Sequence, residues 1–131
     1  MTVLPHVLKR IRLNLARSKE HPSGSSRHGY EFVAPLDHSG HIDPELWRRH
    51  REHCRVRRFW EGEPDEVGYV VHRPGGPEHA RWVFDYGDAD DEEEAGFRFA
   101  AHAFRPGEYV SIRDEEAHSY TFQVVSVEPA T

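Results

Sequence analysis

The chain has a single cysteine, no long apolar run and, beyond residue 54, no stretch with helical periodicity. Each absence excludes something. Cys54 alone cannot close an intramolecular disulfide, which agrees with a reducing compartment and leaves stability to packing. No segment approaches the roughly 18 consecutive apolar residues of a membrane helix, and the opening MTVLPHVLKR lacks the apolar centre of a secretion signal. The expectation is a soluble cytoplasmic protein with no membrane partner. Paired CxxC motifs, HExxH and GxSxG are absent too, so the common signatures of structural zinc, metalloprotease and serine-hydrolase sites do not apply. The acidic run in DYGDADDEEEAG fails the ligand spacing of an EF-hand and reads as a solvated hairpin tip that discourages edge aggregation.

What the chain does have is large core side chains and divided charge. Three Trp, five Tyr and seven Phe in 131 residues are too many for a disordered chain, and the length suits one domain, residues 1–131. Residues 1–60 carry twelve Lys/Arg against six Asp/Glu, a balance of +6, while residues 61–131 carry five against seventeen, a balance of −12. Opposite signs of this kind fit an anion-binding face, mutual neutralisation within the fold, or a homodimer held by charge.

Along the chain, KRIRLNLAR (9–17) alternates Ile11, Leu13 and Leu15 with polar residues, as a half-buried strand does. Residues 18–29, with Pro22, Gly24 and four serines, predict a mobile loop, and GYEFVAPL predicts a second strand. One helix is well marked over about 44–54. Asp43 suits the N-cap, Pro44 the first helical position and Glu45 the first turn. From Arg55 the period changes to two and stays there, with turn residues or charge between short strands. The pattern predicts a mainly β fold: an antiparallel meander of about eight strands, closed as a small barrel or two-sheet sandwich, with the helix packed against it.

Three constellations carry chemistry. His50, His53 and Cys54 share a helical face at i, i+3 and i+4, a spacing open to Zn²⁺, with His38 or His41 completing four ligands, or to a thiol enzyme with Cys54 activated by its arginine neighbours. The opposing expectation is that Cys54 packs as a small apolar residue. Arg48, Arg51, Arg55, Arg57 and Arg58, with Arg49 alongside and Phe59 and Trp60 following, form a basic edge suited to carboxylate or phosphate and to ring stacking. The acidic second half opposes an extended nucleic acid there, leaving an anionic small molecule or an acidic protein segment as partner, and neutralisation by Glu61–Glu66 or Asp88–Glu94 is the plain alternative. Third, Val71, Phe84 and Phe99 facing the core would put His72, Asp85 and Arg98 on the opposite face; with His102, a polar barrel interior would offer His72 and Arg98 as ligand donors.

The stretch from Phe104 through Pro106-Gly107 and Tyr109-Val110 to Ile112 resembles the F-x-P-G-Q-Y-V strand of ferredoxin-reductase-type flavin-binding barrels. In that family an R-x-Y-S/T motif follows and holds the flavin; here the place reads His118-Ser119-Tyr120-Thr121, with histidine where the arginine is expected. The resemblance implies a small barrel and, as a minor alternative, flavin binding. The reading preferred from the residues needs no cofactor: a non-enzymatic binding module whose basic helix-strand edge is the site, a metal-dependent or thiol enzyme at His50, His53 and Cys54 being the alternative.

Overall fold

The structure, a computed structural model, describes residues 7–73, 81–87, 93–97, 103–113 and 118–130. Eight antiparallel strands follow one another around a closed barrel: β1 (Leu8–Leu15), β2 (Ser25–Pro35), β3 (Arg55–Trp60), β4 (Glu63–Arg73), β5 (Arg81–Asp85), β6 (Glu93–Phe97), β7 (Tyr109–Arg113) and β8 (Ser119–Pro129). Pairing of β1 with β8, Ile11 opposite Val127 and Leu15 opposite Phe122, closes the ring and decides for a barrel over a sandwich. Closure leaves none of the eight described strands at a sheet edge, which disposes of the usual hazard of an all-β fold.

The alternation read from the sequence sets the inside. Ile11 and Leu13 of β1, Tyr30 and Phe32 of β2, Val70 of β4, Trp82 and Phe84 of β5, Val110 and Ile112 of β7, and Phe122 and Val124 of β8 are all buried. Their rings interlock: Tyr30 lies 5.0 Å from Phe84 and 5.1 Å from Phe122, and Phe32 lies 5.3 Å from Phe84 and 5.6 Å from Phe104. Centroid distances in this range are favourable for aromatic pairs, and each such burial contributes on the order of 1.5–3 kcal/mol. The barrel's interior is packed with side chains.

Between β2 and β3 the chain crosses one end of the barrel through α1 (Pro44–His50) and a 3₁₀ turn, Arg51–His53. Asp43 caps α1 as its residue type predicts, accepting from the amides of Glu45 at 3.0 Å and Leu46 at 3.2 Å. The single buried helical residue is Trp47. Its indole N–H donates to the Val70 carbonyl at 2.8 Å, and its ring meets Trp82 edge-on at 5.6 Å and His72 at 6.1 Å. One tryptophan thereby ties the helix to β4 and β5.

Four expectations need correction. The helix ends at His50, and residues 51–53 tighten into the 3₁₀ turn, with the Cys54 amide bonded to the Arg51 carbonyl. The loop expected over 18–29 is shorter, because β2 begins at Ser25 and both His28 and Gly29 are buried in it. Glu93 and Glu94, expected at a hairpin tip, belong to β6. Finally, β4 and β5 pair Val70 with Phe84, His72 with Trp82 and Val71 with Val83. Val71 is therefore on the outer face and His72 on the inner one, so His72 and Asp85 do not share a face. Arg98, His102 and Phe99 lie outside the described residues, as do residues 88–92 of the acidic run. Among the described residues no helix is long and apolar enough to cross a membrane.

Candidate binding groove on the outer face of the barrel

Strand β3 is where the arginines part company. Arg57 pairs with Glu31 across β2, and Arg58 with Tyr30, so alternate residues face opposite sides of the barrel wall. Outside, Arg57 bonds Asp65 at 3.0 Å and lies 4.0 Å from Glu31, which Arg10 and Arg12 also approach. Arg12 and Arg57 also cover the ring of Phe59, at 4.5 and 5.1 Å. Phe59 lies opposite Gly29, where a Cβ would fall 1.9 Å from the Leu13 carbonyl oxygen and 3.1 Å from the Phe59 ring. The aromatic ring fills the space a side chain at position 29 cannot use. This patch is satisfied internally.

Arg58 points to the other side. It stacks on Trp60 at 4.6 Å and bonds Glu63 at 3.2 Å, close to the barrel mouth, where Trp60 also meets His28 at 4.6 Å and Tyr120 at 5.5 Å. His28 is bonded to the Ser25 hydroxyl at 2.7 Å, and its ring lies 4.7 Å from His21. Burial, followed by the His21 ring, pushes the His28 pKa down, so the imidazole is favoured in its neutral form. Trp60 is thus a mouth residue, on the face opposite Arg57. On the helix, Arg48 is held by Glu45 at 2.7 Å.

Two of the expected site residues, Arg51 and Arg55, make no ion pair among the described residues. Both line an open groove of about 520 Å³ between the 3₁₀ turn and the outer face of β4, reaching Tyr86 and Gly87 after β5. The floor is apolar. Val67 and Tyr69 are 51% and 44% exposed there, with Val71 next along the strand and Trp47 at the edge. Arg55, opposite Tyr69 in the sheet, stacks over its ring at 5.2 Å. Glu52 and Asp85 supply the acids of the lining. Asp85 is engaged by Arg73 at 3.0 Å and by the Gly87 amide at 2.8 Å. A guanidinium over a ring face can still direct N–H groups to a carboxylate.

The histidine–cysteine cluster is dispersed by the change of helix type. Cys54 is fully buried, its thiol 3.5 Å from the His50 carbonyl, while His53 faces Glu52 at 3.6 Å. Burial pushes the Cys54 pKa up to about 12, with the Glu52 charge adding to it. That is the reverse of what a nucleophile or a metal-binding thiolate needs. Among the described residues no group of three or more His, Cys, Asp or Glu side chains is placed to hold a metal ion. His72, also lowered in pKa by burial and then by the Arg48 charge, lies against Trp82 at 4.5 Å. Tyr109 and Tyr120 of the flavin-like stretch fall on different faces of the β7–β8 pair. Tyr109 is 55% exposed on the face of its partner Gln123, whereas Tyr120 pairs with buried Ile112 and turns to Trp60.

Sequence reasoning missed Val67, Tyr69, Val71 and Tyr86 as groove residues. A signal was present: β4 alternates with apolar residues on both sides at 67–71, more than one buried face requires. No family model, curated protein or solved structure matches the chain.

Proposed function

We propose that this chain is a binding module that receives an anionic ligand, a small molecule or an acidic protein segment, in the β4 groove, with Arg51 and Arg55 as the recognising cations. One observation carries the reading. Of the five arginines expected at the site, the three outside the groove are each held by a carboxylate, and the two inside it are without one among the described residues. A packed barrel interior supports recognition on the surface. Among the described lining residues there is no histidine, serine or cysteine, and the Asp85 carboxylate is already engaged by Arg73 and the Gly87 amide, which supports a binding role. The net charge of −6 and the acids at the rim disfavour nucleic acid.

Calorimetric titration of inorganic phosphate, hexaglutamate and 3-phenylpropionate into the protein tests the reading, alongside the Arg51→Ala/Arg55→Ala double variant. Hydrogen bonds to charged groups contribute about 1.5–3 kcal/mol, so the double variant should lose at least about tenfold in affinity for whichever anion binds, and added salt should weaken the unmodified protein's binding. Binding that survives in the double variant, or no binding of any of the three, contradicts the assignment.

A further inference from the structure

We infer that the groove is built for an amphiphilic monoanion, a small molecule with one carboxylate on an apolar body, and not for phosphate or a polyanion. This rests on the anion-groove reading above and narrows it. Three features point the same way.

The first is charge. The lining contributes Arg51 and Arg55 against Glu52 and Asp85, so its formal charges cancel. Asp85 is offset by Arg73 and the Gly87 amide, while among the described residues the ion-pair partner of Glu52 is His53, which leaves a residual of about one positive charge. A multiply charged ligand needs several convergent cations, and Glu52 would repel its second charge. One carboxylate is matched.

The second is the floor. Val67, Tyr69 and Val71 alternate outward on β4, and two of the three are among the most exposed large apolar side chains described. Elsewhere on the outer wall, at Arg57, Asp65 and Glu31, charged side chains occupy the corresponding positions. Val67 and Tyr69, exposed side by side on the strand beneath Arg51 and Arg55, form a surface that an apolar ligand body would cover. The Arg55 guanidinium lies over the Tyr69 ring, which places the cationic part of the site beside the apolar floor.

The third is size. About 520 Å³ falls within the roughly 300–1,000 Å³ typical of small-molecule sites.

The experiment compares four probes by amide-resolved NMR titration of the intact chain: 3-phenylpropionate, its neutral amide 3-phenylpropionamide, inorganic phosphate and hexaglutamate. The carboxylate should bind about tenfold or more tightly than the amide, shift the Arg55, Tyr69 and Val71 signals, and exceed phosphate and hexaglutamate. Arg55→Gln should remove the difference between acid and amide. Tyr69→Ser should weaken both several-fold, with an otherwise unchanged amide spectrum as the check that this outer-face variant, 44% exposed, is folded. Equal affinity for acid and amide overturns the inference. Phosphate or hexaglutamate binding more tightly than the carboxylate, and depending on Arg51 and Arg55, overturns it while leaving the anion groove in place. If none of the charged probes depends on those arginines, both readings fall.

Discussion

Two neighbouring patches of the outer wall draw on the same arginine-rich segment and end in different chemical states. On β1–β3, Arg10, Arg12 and Arg57 surround Glu31, with Asp65 completing the set and Phe59 shielded beneath two guanidinium groups. On β4, Arg51 and Arg55 face Val67, Tyr69 and Val71 across an open groove. Residue type is the same in both. What separates them is the partner that the antiparallel register delivers: Glu31 and Asp65 come opposite or diagonal to Arg57, whereas Arg55 is delivered to a tyrosine. Arginine density alone is thus a poor guide to a site, and the cross-strand neighbour is a better one.

The comparison can be sharpened by chemistry on the two sides of the same turn. Arg51 faces the groove, and Cys54, three residues on, is sealed in the core. With its pKa raised from 9.0 to about 12, Cys54 should be alkylated by iodoacetamide at pH 8 about a thousandfold more slowly than an unperturbed thiol, and rapidly once urea unfolds the chain. Fast alkylation of the native protein would restore the thiol as a functional candidate.

Trp47→Ala removes the groove's edge, the bond to Val70 and the contact with Trp82, without touching the Glu31 patch. A loss of about 3–5 kcal/mol in urea unfolding is expected. A loss under about 1 kcal/mol would mean that the helix is not fastened as described.

A pH effect of smaller size should arise at the mouth, away from both patches. His28 faces Ser25 and His21, Arg58 and Trp60 of β3, and Glu61 and Glu63 at the β3–β4 turn. Its folded pKa lies below the ordinary 6.5, so the unfolded chain binds the proton more readily. Stability is then full above about pH 6.5 and declines as pH falls toward the folded pKa, levelling below it. His72, also lowered, contributes in the same direction. Thermal unfolding between pH 5 and 8 should show this slope, and His28→Gln should flatten it; an unchanged slope in the variant rules out His28 as its source. The smallest effect is expected at Arg57→Ala, below about 1 kcal/mol, since its ion pairs are partly exposed.

The fold was largely legible because period-two alternation continues from Arg55 onward and few arrangements bury so many alternating aromatics. Closure itself was not, since the β1–β8 pairing joins the two ends of the chain and leaves no local trace. The Asp43-Pro44-Glu45 start located the helix, yet its early tightening at Arg51 had no marker, and the shared face of His50, His53 and Cys54 dissolved with it. His72 was misplaced by a one-residue register error against β5, enough to exchange inner and outer faces. At the site, the residue types were right and the division among them was hidden. Arg57 and Arg58 are sequence neighbours on opposite faces, and which arginines lack carboxylates depends on strand pairing that no single segment contains.

The central claim, that lack of a carboxylate partner and not arginine density makes the site, is tested most directly by one paired measurement. Titrating 3-phenylpropionate into Arg55→Ala and Arg57→Ala under identical low-salt conditions should give about a tenfold or greater loss of affinity for the first and less than about a twofold change for the second. Equal losses in the two variants, or a larger loss at Arg57, would contradict it.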